Sequence, residues 1–171
     1  SPPAHCLPPA YTSRGARVVG HGPAPYGLWK LTGVYVAPGW TDGQDPDDDI
    51  AFATVAPADE GRTGSLEDLV GGFAVAASQP DDATVTVIGY PRTRETPLRC
   101  ANSTVLLSGT QRRIGCPDLS GGTSGSPWLV DGALAGVLGG HEGGGTVPEI
   151  SYSAVMGDRA VGLYREAALA G

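Results

Sequence analysis

The stretch Gly121-Gly122-Thr123-Ser124-Gly125-Ser126-Pro127-Trp128 decides how the rest of this sequence is interpreted. Glycines permit backbone conformations and close approaches that other residues resist, so such a loop presents several N–H groups to one point and holds a hydroxyl beside them. Acyl-transfer chemistry needs this layout, a nucleophilic serine next to backbone donors that stabilise an oxyanion. A plain Gly/Ser turn between strands has the same composition. Partner residues elsewhere in the chain must therefore decide between the two interpretations.

The composition around this stretch indicates an all-β protein with many tight turns. Of 171 residues, 27 are glycine and 15 are proline, about a quarter of the chain. These residues punctuate short runs of Val, Ile, Leu and Thr, which is the pattern of strands joined by turns. The length allows one sizeable core, or two small cores that share an interface.

Charge, hydropathy and cysteine content exclude some classes of partner and favour one compartment. The net charge is −7, with 18 acidic against 11 basic residues, which argues against nucleic acid because a phosphate backbone needs a basic face. The sequence contains no run of 18 apolar residues, so it predicts no membrane-spanning helix. The absence of an initiator Met and of a signal peptide indicates a mature or trimmed form. Three cysteines in a Lys-poor chain suggest a secreted protein.

Strands and one helix follow from the pattern of apolar residues. We expect strands at 28–36, 50–55, 73–77, 84–88, 104–107, 112–116, 128–130 and 133–138. Asp131-Gly132 favours a type I′ turn and makes the last two strands the strongest hairpin. Residues 38–49 read as an acidic loop, and 65–68 as a capping box ahead of a short helix. Residues 158–169 predict a C-terminal helix.

Two further features of the sequence concern the division and cross-linking of the chain. Gln79-Pro80-Asp81-Asp82 interrupts the pattern and places a boundary between residues 1–79 and 80–171. Cys100 and Cys116 flank a segment that folds as a hairpin in this prediction, so we expect them to form a disulfide. Cys6 is then left unpaired.

A nucleophilic serine needs a general base, and this sequence has three histidines that qualify. They are His5, His21 and His141. His21 lies in Gly-His-Gly-Pro, which is typical of an exposed loop. His141 lies in the Gly-rich loop 139–145, where it would line a cleft. His5 is distinguished by its neighbours.

Three motifs, taken in order, resemble those of the trypsin-like, or chymotrypsin-fold, serine peptidases. Ala4-His5-Cys6 matches the family's motif around the base, and Asp49-Ile50-Ala51-Phe52 matches the strand that its carboxylate opens. Gly122 to Pro127 matches its Gly-x-Ser-Gly-x-Pro motif. Each motif is weak alone, but three in the family's order His, Asp, Ser are specific. Secreted actinobacterial members are the most similar. A hydrolase of the Gly-x-Ser-x-Gly type is disfavoured because Ser126 stands where its final glycine belongs.

The resemblance implies a fold and a role for each motif. The fold would be two antiparallel Greek-key β-barrels packed together, with a C-terminal α-helix. Residues 1–79 would form the first barrel, carrying His5 and Asp49, and residues 80–171 the second, carrying Ser124 and the substrate pocket. Ser124 would attack the peptide carbonyl, His5 would take its proton and Asp49 would hold the imidazole tautomer. The N–H groups of Gly122 and Ser124 would form the oxyanion hole, without metal or organic cofactor. Calcium binding by the acids of 45–49 is a less favoured alternative.

The resemblance also suggests where a peptide or protein substrate would bind. Asp118 lies six residues before Ser124, the offset of the acid that selects Lys or Arg in trypsin-like enzymes. A surface acid in a Pro-Asp turn is the alternative. Gly139 and Gly140 would leave a pocket wall open to a sizeable side chain, and Gly140 or His141 would pair with the peptide backbone. Glutamyl-specific relatives use a histidine near this strand, but Leu138 stands at the expected position.

Departures from the family pattern leave a rival interpretation. Thr123 replaces the Asp that many members carry before the nucleophile. The sequence begins almost at His5, so about two strands expected before it, and the usual partner of Cys6, are missing. A separate fragment bridged to Cys6, a truncated product, or another element filling the gap would each explain this. A catalytically inactive peptidase-like module that binds a peptide or a partner protein is therefore the alternative to an active endopeptidase.

Overall fold

The computed structural model describes residues 25–59 and 61–170, which form two antiparallel sheets and a C-terminal helix. The strands are β1 (Trp29–Val36), β2 (Ala51–Pro57), β3 (Thr84–Gly89), β4 (Leu98–Leu106), β5 (Gln111–Gly115), β6 (Pro127–Val130), β7 (Ala133–Val137) and β8 (Ile150–Ala154). The helices are α1 (Pro38–Gly43), α2 (Leu66–Val70) and α3 (Asp158–Ala170), with 3-10 turns at Pro46–Asp48 and His141–Gly144. This architecture confirms the predicted all-β class with one C-terminal helix.

The first sheet pairs β1 with β2. Their register shifts between Leu31 and Gly33, which is the mark of a β-bulge and increases the local twist. Ile50, directly before β2, and Ala51 and Phe52, the first residues of β2, are buried in the core. The sheet therefore directs the beginning of β2 inward, and Asp49, two residues before the strand, is buried with it.

The second sheet has six strands in the order β7-β6-β3-β4-β5-β8 and curls until its two edges meet. Val137 N donates to Ser153 Oγ at 3.1 Å, and Gly139 N donates to Tyr152 O at 3.0 Å. Inside the curl lie Val85, Val87, Ile114, Cys116, Leu119, Trp128 and Leu138. Asp131 and Gly132, both with positive φ, join β6 to β7 as the predicted type I′ turn requires.

A second core joins the two sheets through α3. Phe52 of β2 packs in one cluster with Leu129 and Leu134 of the second sheet, together with Ala160 and Ala167 of the helix. The ring of Phe52 also lies 5.6 Å from the ring of Tyr164. No helix in the described part of the chain has the length and hydrophobicity needed to cross a membrane.

Cys100 and Cys116 form a disulfide between β4 and the residue that follows β5. The predicted pairing is therefore confirmed. Cys116 is buried in the core of the second sheet. The cross-link anchors the start of the segment that leads to Ser124.

Three regions differ from the sequence prediction. Residues 38–49 contain α1 and a 3-10 turn, since Pro38 and Pro46 each begin a helical turn without needing a donor N–H. Residues 73–77 make only one parallel bridge, Val75 to Leu134. β4 begins at 98 instead of 104, because its first half pairs with β3 and its second half with β5.

The sequence prediction also missed β8. Its sequence Ile150-Ser151-Tyr152-Ser153-Ala154 alternates apolar and polar residues, but the two serines are buried at 1 % exposure while Ile150 and Tyr152 are only half-buried. The burial of this strand is therefore not the one that the alternation predicts. Ser153 stays satisfied in the interior by donating to Ala154 O at 2.9 Å while accepting from Val137 N. The hydrogen bonds that stabilise this strand come from neighbours distant in sequence.

Candidate active site

The loop that carries Ser124 is held by hydrogen bonds on both sides of the serine. Thr123 Oγ1 donates to Ser120 O at 2.8 Å, and Ser126 N donates to Thr123 O at 3.0 Å. Gly125 N donates to Leu138 O at 2.8 Å, and Leu138 N donates to Ser126 O at 2.9 Å, which fastens the loop to the end of β7. Thr123 and Ser126 are buried, while Ser124 between them is exposed. The hydroxyl of Ser124 is thus presented on a fixed support.

Gly122 has a backbone conformation that favours glycine. Its φ is +102°, and a Cβ atom there would lie 2.8 Å from Arg92 N. Within residues 25–59 and 61–170, the N–H groups of Gly122 and Ser124 hydrogen bond no other group. Both donors are therefore available to an incoming oxygen.

Asp49 is 1 % exposed and lies directly after the 3-10 turn Pro46–Asp48. Its Oδ2 accepts a hydrogen bond from Gly140 N at 2.8 Å. Gly140 follows Leu138 by two residues, and Leu138 holds the Ser124 loop. The structure therefore attaches both Asp49 and the Ser124 loop to the short segment 138–140, although 75 positions separate them in the sequence.

The neighbouring acids of the run 45–49 all have protein partners. Asp45 accepts from Asp47 N at 3.0 Å and caps the turn, and Asp48 Oδ1 lies 2.8 Å from Arg159 Nη1. Asp47 Oδ1 accepts from Gln111 Nε2 at 2.8 Å. In the described part of the chain, no three His, Cys, Asp or Glu side chains are grouped as metal ligands.

Gln111 is a site residue that the sequence prediction missed. The side chain is buried at 4 % exposure. Its Nε2 donates to Pro46 O at 2.9 Å as well as to Asp47, and its Oε1 accepts from His141 N at 3.0 Å. One amide thus joins the turn before Asp49 to the loop that contains Gly140. No local signal marks this role, because a glutamine at the start of a strand is ordinary.

The structure places His141 against an aromatic side chain. Its ring lies edge-on to the ring of Tyr152, with 4.8 Å between centroids. Of the predicted site residues, His5 lies outside the described residues, as do His21 and Cys6. Within the described residues, the site therefore consists of the Ser124 loop, Asp49 and the cavity beside Ser124.

A cavity of about 330 Å³ opens beside Ser124. It is lined by Leu119, Ser120, Gly121, Thr123, Ser124, Leu138, Gly143, Gly144, Gly145, Thr146, Val147 and Pro148. Asp118 is not part of this lining. Its side chain is 67 % exposed, and its Oδ2 lies 3.7 Å from Arg94 Nη2. Gly139, Gly140 and His141 are also outside the lining, since their segment turns toward Asp49 and Gln111.

Comparison with known proteins gives structural likeness only. No family model and no curated protein matches the sequence. The protease Anisep from Arthrobacter nicotinovorans has a TM-score of 0.77 and 23% identity over 98% of this chain and 82% of that protein. A thermostable serine protease, AL20, from an extremophilic microorganism has a TM-score of 0.79 and 21% identity over 99% of this chain and 84% of the protease.

A third solved structure, a Glu endopeptidase in complex with MPD, has a TM-score of 0.76. Its identity is 17%, over 97% of this chain and 79% of that protein. Identities at this level establish the fold. The chain therefore has the chymotrypsin-like fold and resembles bacterial serine proteases of that kind.

Proposed function

We propose that this protein is a secreted serine endopeptidase that cleaves peptide bonds through an acyl-enzyme on Ser124. The observation that carries the proposal is the attachment of two residues, distant in sequence, to one segment. Asp49 is bonded to Gly140, and the Ser124 loop to Leu138. The disulfide supports secretion, because disulfides persist in oxidising compartments. The likeness to bacterial serine proteases supports hydrolysis by a nucleophilic serine.

In the proposed reaction, Ser124 Oγ attacks the carbonyl carbon of the peptide and gives its proton to His5. The N–H groups of Gly122 and Ser124 stabilise the negative oxygen of the tetrahedral intermediate. The intermediate then breaks its C–N bond, and the leaving amine takes the proton from His5. A water molecule releases the acyl group by the same steps in reverse order. His5 is assigned as the base because it lies in the motif Ala4-His5-Cys6, which resembles the motif around the base in trypsin-like peptidases.

Asp49 is proposed to orient the imidazole of His5. A carboxylate that hydrogen bonds one ring nitrogen leaves the other free to accept the serine proton. The bond from Gly140 N, at 2.8 Å, holds this carboxylate in one rotamer. Burial at 1 % exposure keeps it from water, which strengthens its interaction with a developing imidazolium.

The preference for Lys or Arg before the cleaved bond, predicted from Asp118 in the sequence, stays untested and competes with the preference for an apolar residue that the cavity beside Ser124 favours. Asp118 pairs with Arg94 and lies outside the cavity lining. The division into barrels 1–79 and 80–171 also remains a prediction.

A fluorophosphonate probe on the full-length protein tests the proposed function. We expect one covalent adduct per chain, mapped to Ser124, because an activated serine hydroxyl attacks the phosphorus centre and displaces fluoride. Ser124→Ala should abolish the adduct and lower kcat on peptides by up to about 10⁶-fold. Ser126→Ala, which removes the buried hydroxyl two residues away, should still be labelled. A folded wild-type protein that forms no adduct would instead be the inactive peptide-binding module.

A further inference from the structure

The cavity beside Ser124 is lined by apolar side chains, uncharged hydroxyls and bare backbone. Leu119 and Leu138 are 5 % and 4 % exposed, and Leu119 N donates to Pro148 O at 3.0 Å, which joins two walls. Val147 also lines the cavity while 47 % of its surface is exposed. The lining residues with polar side chains all carry uncharged hydroxyls: Ser120, Thr123, Ser124 and Thr146. Within the described residues, the lining includes no charged side chain.

Gly143, Gly144 and Gly145 form one wall of the cavity. Their φ values are +64°, +102° and +130°, in the region that favours glycine. A Cβ on Gly144 would lie 2.6 Å from Leu138 Cδ2, so the leucine packs directly on the loop. A Cβ on Gly143 would meet nothing within 4 Å. The loop thus contributes backbone and no side chain to this wall of the cavity.

We propose that this cavity takes an uncharged, apolar side chain, of the size of Leu or Phe, from the substrate residue that precedes the cleaved bond. This inference rests on the proposed peptidase function and specifies its substrate class. An apolar guest gains free energy by leaving water for Leu119, Leu138 and Val147. The cavity of about 330 Å³ is within the usual range for small-molecule pockets.

A charged guest would find no charged partner among the described residues that line this cavity. A buried charge without an opposite charge or sufficient hydrogen bonds is strongly unfavourable. Asp118 is exposed and pairs with Arg94, so it is not aimed at a Lys or Arg guest. Glu142 lies outside the lining, where its Oε2 accepts from Thr146 Oγ1 at 3.4 Å. His141 packs on Tyr152, so it is not placed to receive a Glu guest.

A series of peptide p-nitroanilides that differ only in the residue before the cleaved bond tests the proposal on the full-length protein. With Leu, Phe, Arg, Lys and Glu at that position, we expect kcat/KM for Leu and Phe to exceed the others by at least about tenfold. Asp118→Asn should leave this ranking unchanged. Faster cleavage after Arg, Lys or Glu overturns the proposal, as does a loss of Arg cleavage that is specific to Asp118→Asn.

Ligand binding to the Ser124→Ala variant separates failure of this inference from failure of the peptidase function. Indole is an uncharged apolar probe, and benzamidine is a cationic one of similar size. We expect indole to shift the amide resonances of residues 143–145 in a ¹⁵N spectrum, with benzamidine causing no comparable shift. Preferential binding of benzamidine, or binding of neither compound, overturns the apolar assignment. If wild type forms no fluorophosphonate adduct while indole still binds, the peptidase function fails and the nature of the cavity stands.

Discussion

Asp49 shows how the environment of one residue separates it from similar neighbours. The acids of the run 45–49 are alike in sequence, but Asp45 caps a turn and Asp47 accepts from Gln111. Asp48 pairs with Arg159. Asp49 alone of the run bonds to Gly140, in the segment that also holds the Ser124 loop. Burial and the hydrogen bond from Gly140 N make it the carboxylate best placed to serve the proposed reaction.

Asp49→Asn should lower kcat on a cleaved peptide by about 10⁴-fold while the protein remains folded. The amide oxygen can still accept from Gly140 N, but the amide cannot stabilise an imidazolium and favours the wrong histidine tautomer. The measurement is kcat together with far-UV circular dichroism.

Asp42→Asn is the matched control for this prediction. Asp42 lies in α1 and is exposed, and its carboxylate contacts only Thr41 Oγ1, at 3.5 Å, among the hydrogen bonds of the described residues. It should change kcat less than twofold. Equal activity of the Asp49→Asn variant and wild type would remove Asp49 from the mechanism.

At the scale of elements, Gln111 connects two turns that carry the site. The 3-10 turn Pro46–Asp48 precedes Asp49, and the turn His141–Gly144 follows Gly140. Gln111, at the start of β5, bonds to both turns through one buried amide. A Cβ on Gly140 would lie 2.5 Å from Gln111 Oε1, so this position must stay without a side chain. The hydrogen bonds of Gln111 to both turns, which we call the clamp, therefore require a glycine at position 140.

Gln111→Ala should lower the free energy of unfolding by about 1–3 kcal/mol, because it leaves buried donors and acceptors of both turns without partners. Urea denaturation followed by tryptophan fluorescence measures the change. Arg113→Ala, at an exposed position of the same strand, should stay within about 0.5 kcal/mol of wild type. A Gln111→Ala variant as stable as the Arg113→Ala variant would show that the clamp contributes nothing.

At the scale of the whole molecule, one core and one cross-link hold the parts together. Phe52 of the first sheet shares a cluster with Leu129 of the second sheet and with Ala160 and Ala167 of α3. The position of Asp49 therefore depends on packing between sheets as well as on its own turn. The disulfide Cys100–Cys116 lies on the other side of the second sheet, against the core inside the curl.

Removing the disulfide should lower the free energy of unfolding by about 3 kcal/mol, because the unfolded chain loses a constraint on a loop of 16 residues. For a chain of this length, that corresponds to a fall in Tm of about 6–12 °C. Calorimetry of wild type with and without reductant measures it.

The Cys100→Ala, Cys116→Ala double variant controls for reduction elsewhere in the chain. Its Tm should match that of reduced wild type and should not respond to reductant. A reductant-sensitive Tm in the double variant would assign the effect to another thiol.

Local patterns predicted those elements in which the buried positions are the apolar residues of the sequence. β1, β2 and β3, the β6–β7 hairpin and α3 have alternating, continuous or helical apolar residues, and a turn dipeptide located the hairpin. The pattern failed where tertiary neighbours supply what the sequence lacks. β8 buries Ser151 and Ser153, and residues 73–77 are apolar but bridge to β7 only at Val75. Asp118 stands at the expected offset from Ser124, yet its left-handed φ of +64° and its pairing with Arg94 place it outside the cavity.

The sequence by itself determined the all-β class, the disulfide partners and the resemblance to chymotrypsin-fold serine peptidases, because each depends on composition or on motifs read along the chain. Only the tertiary structure decided that Asp49 and the Ser124 loop meet at residues 138–140. It alone decided that Gln111 joins the turns beside Asp49 and that the described lining of the cavity next to Ser124 has no charged side chain. These features depend on hydrogen bonds and packing between residues far apart in sequence, and no local pattern encodes them.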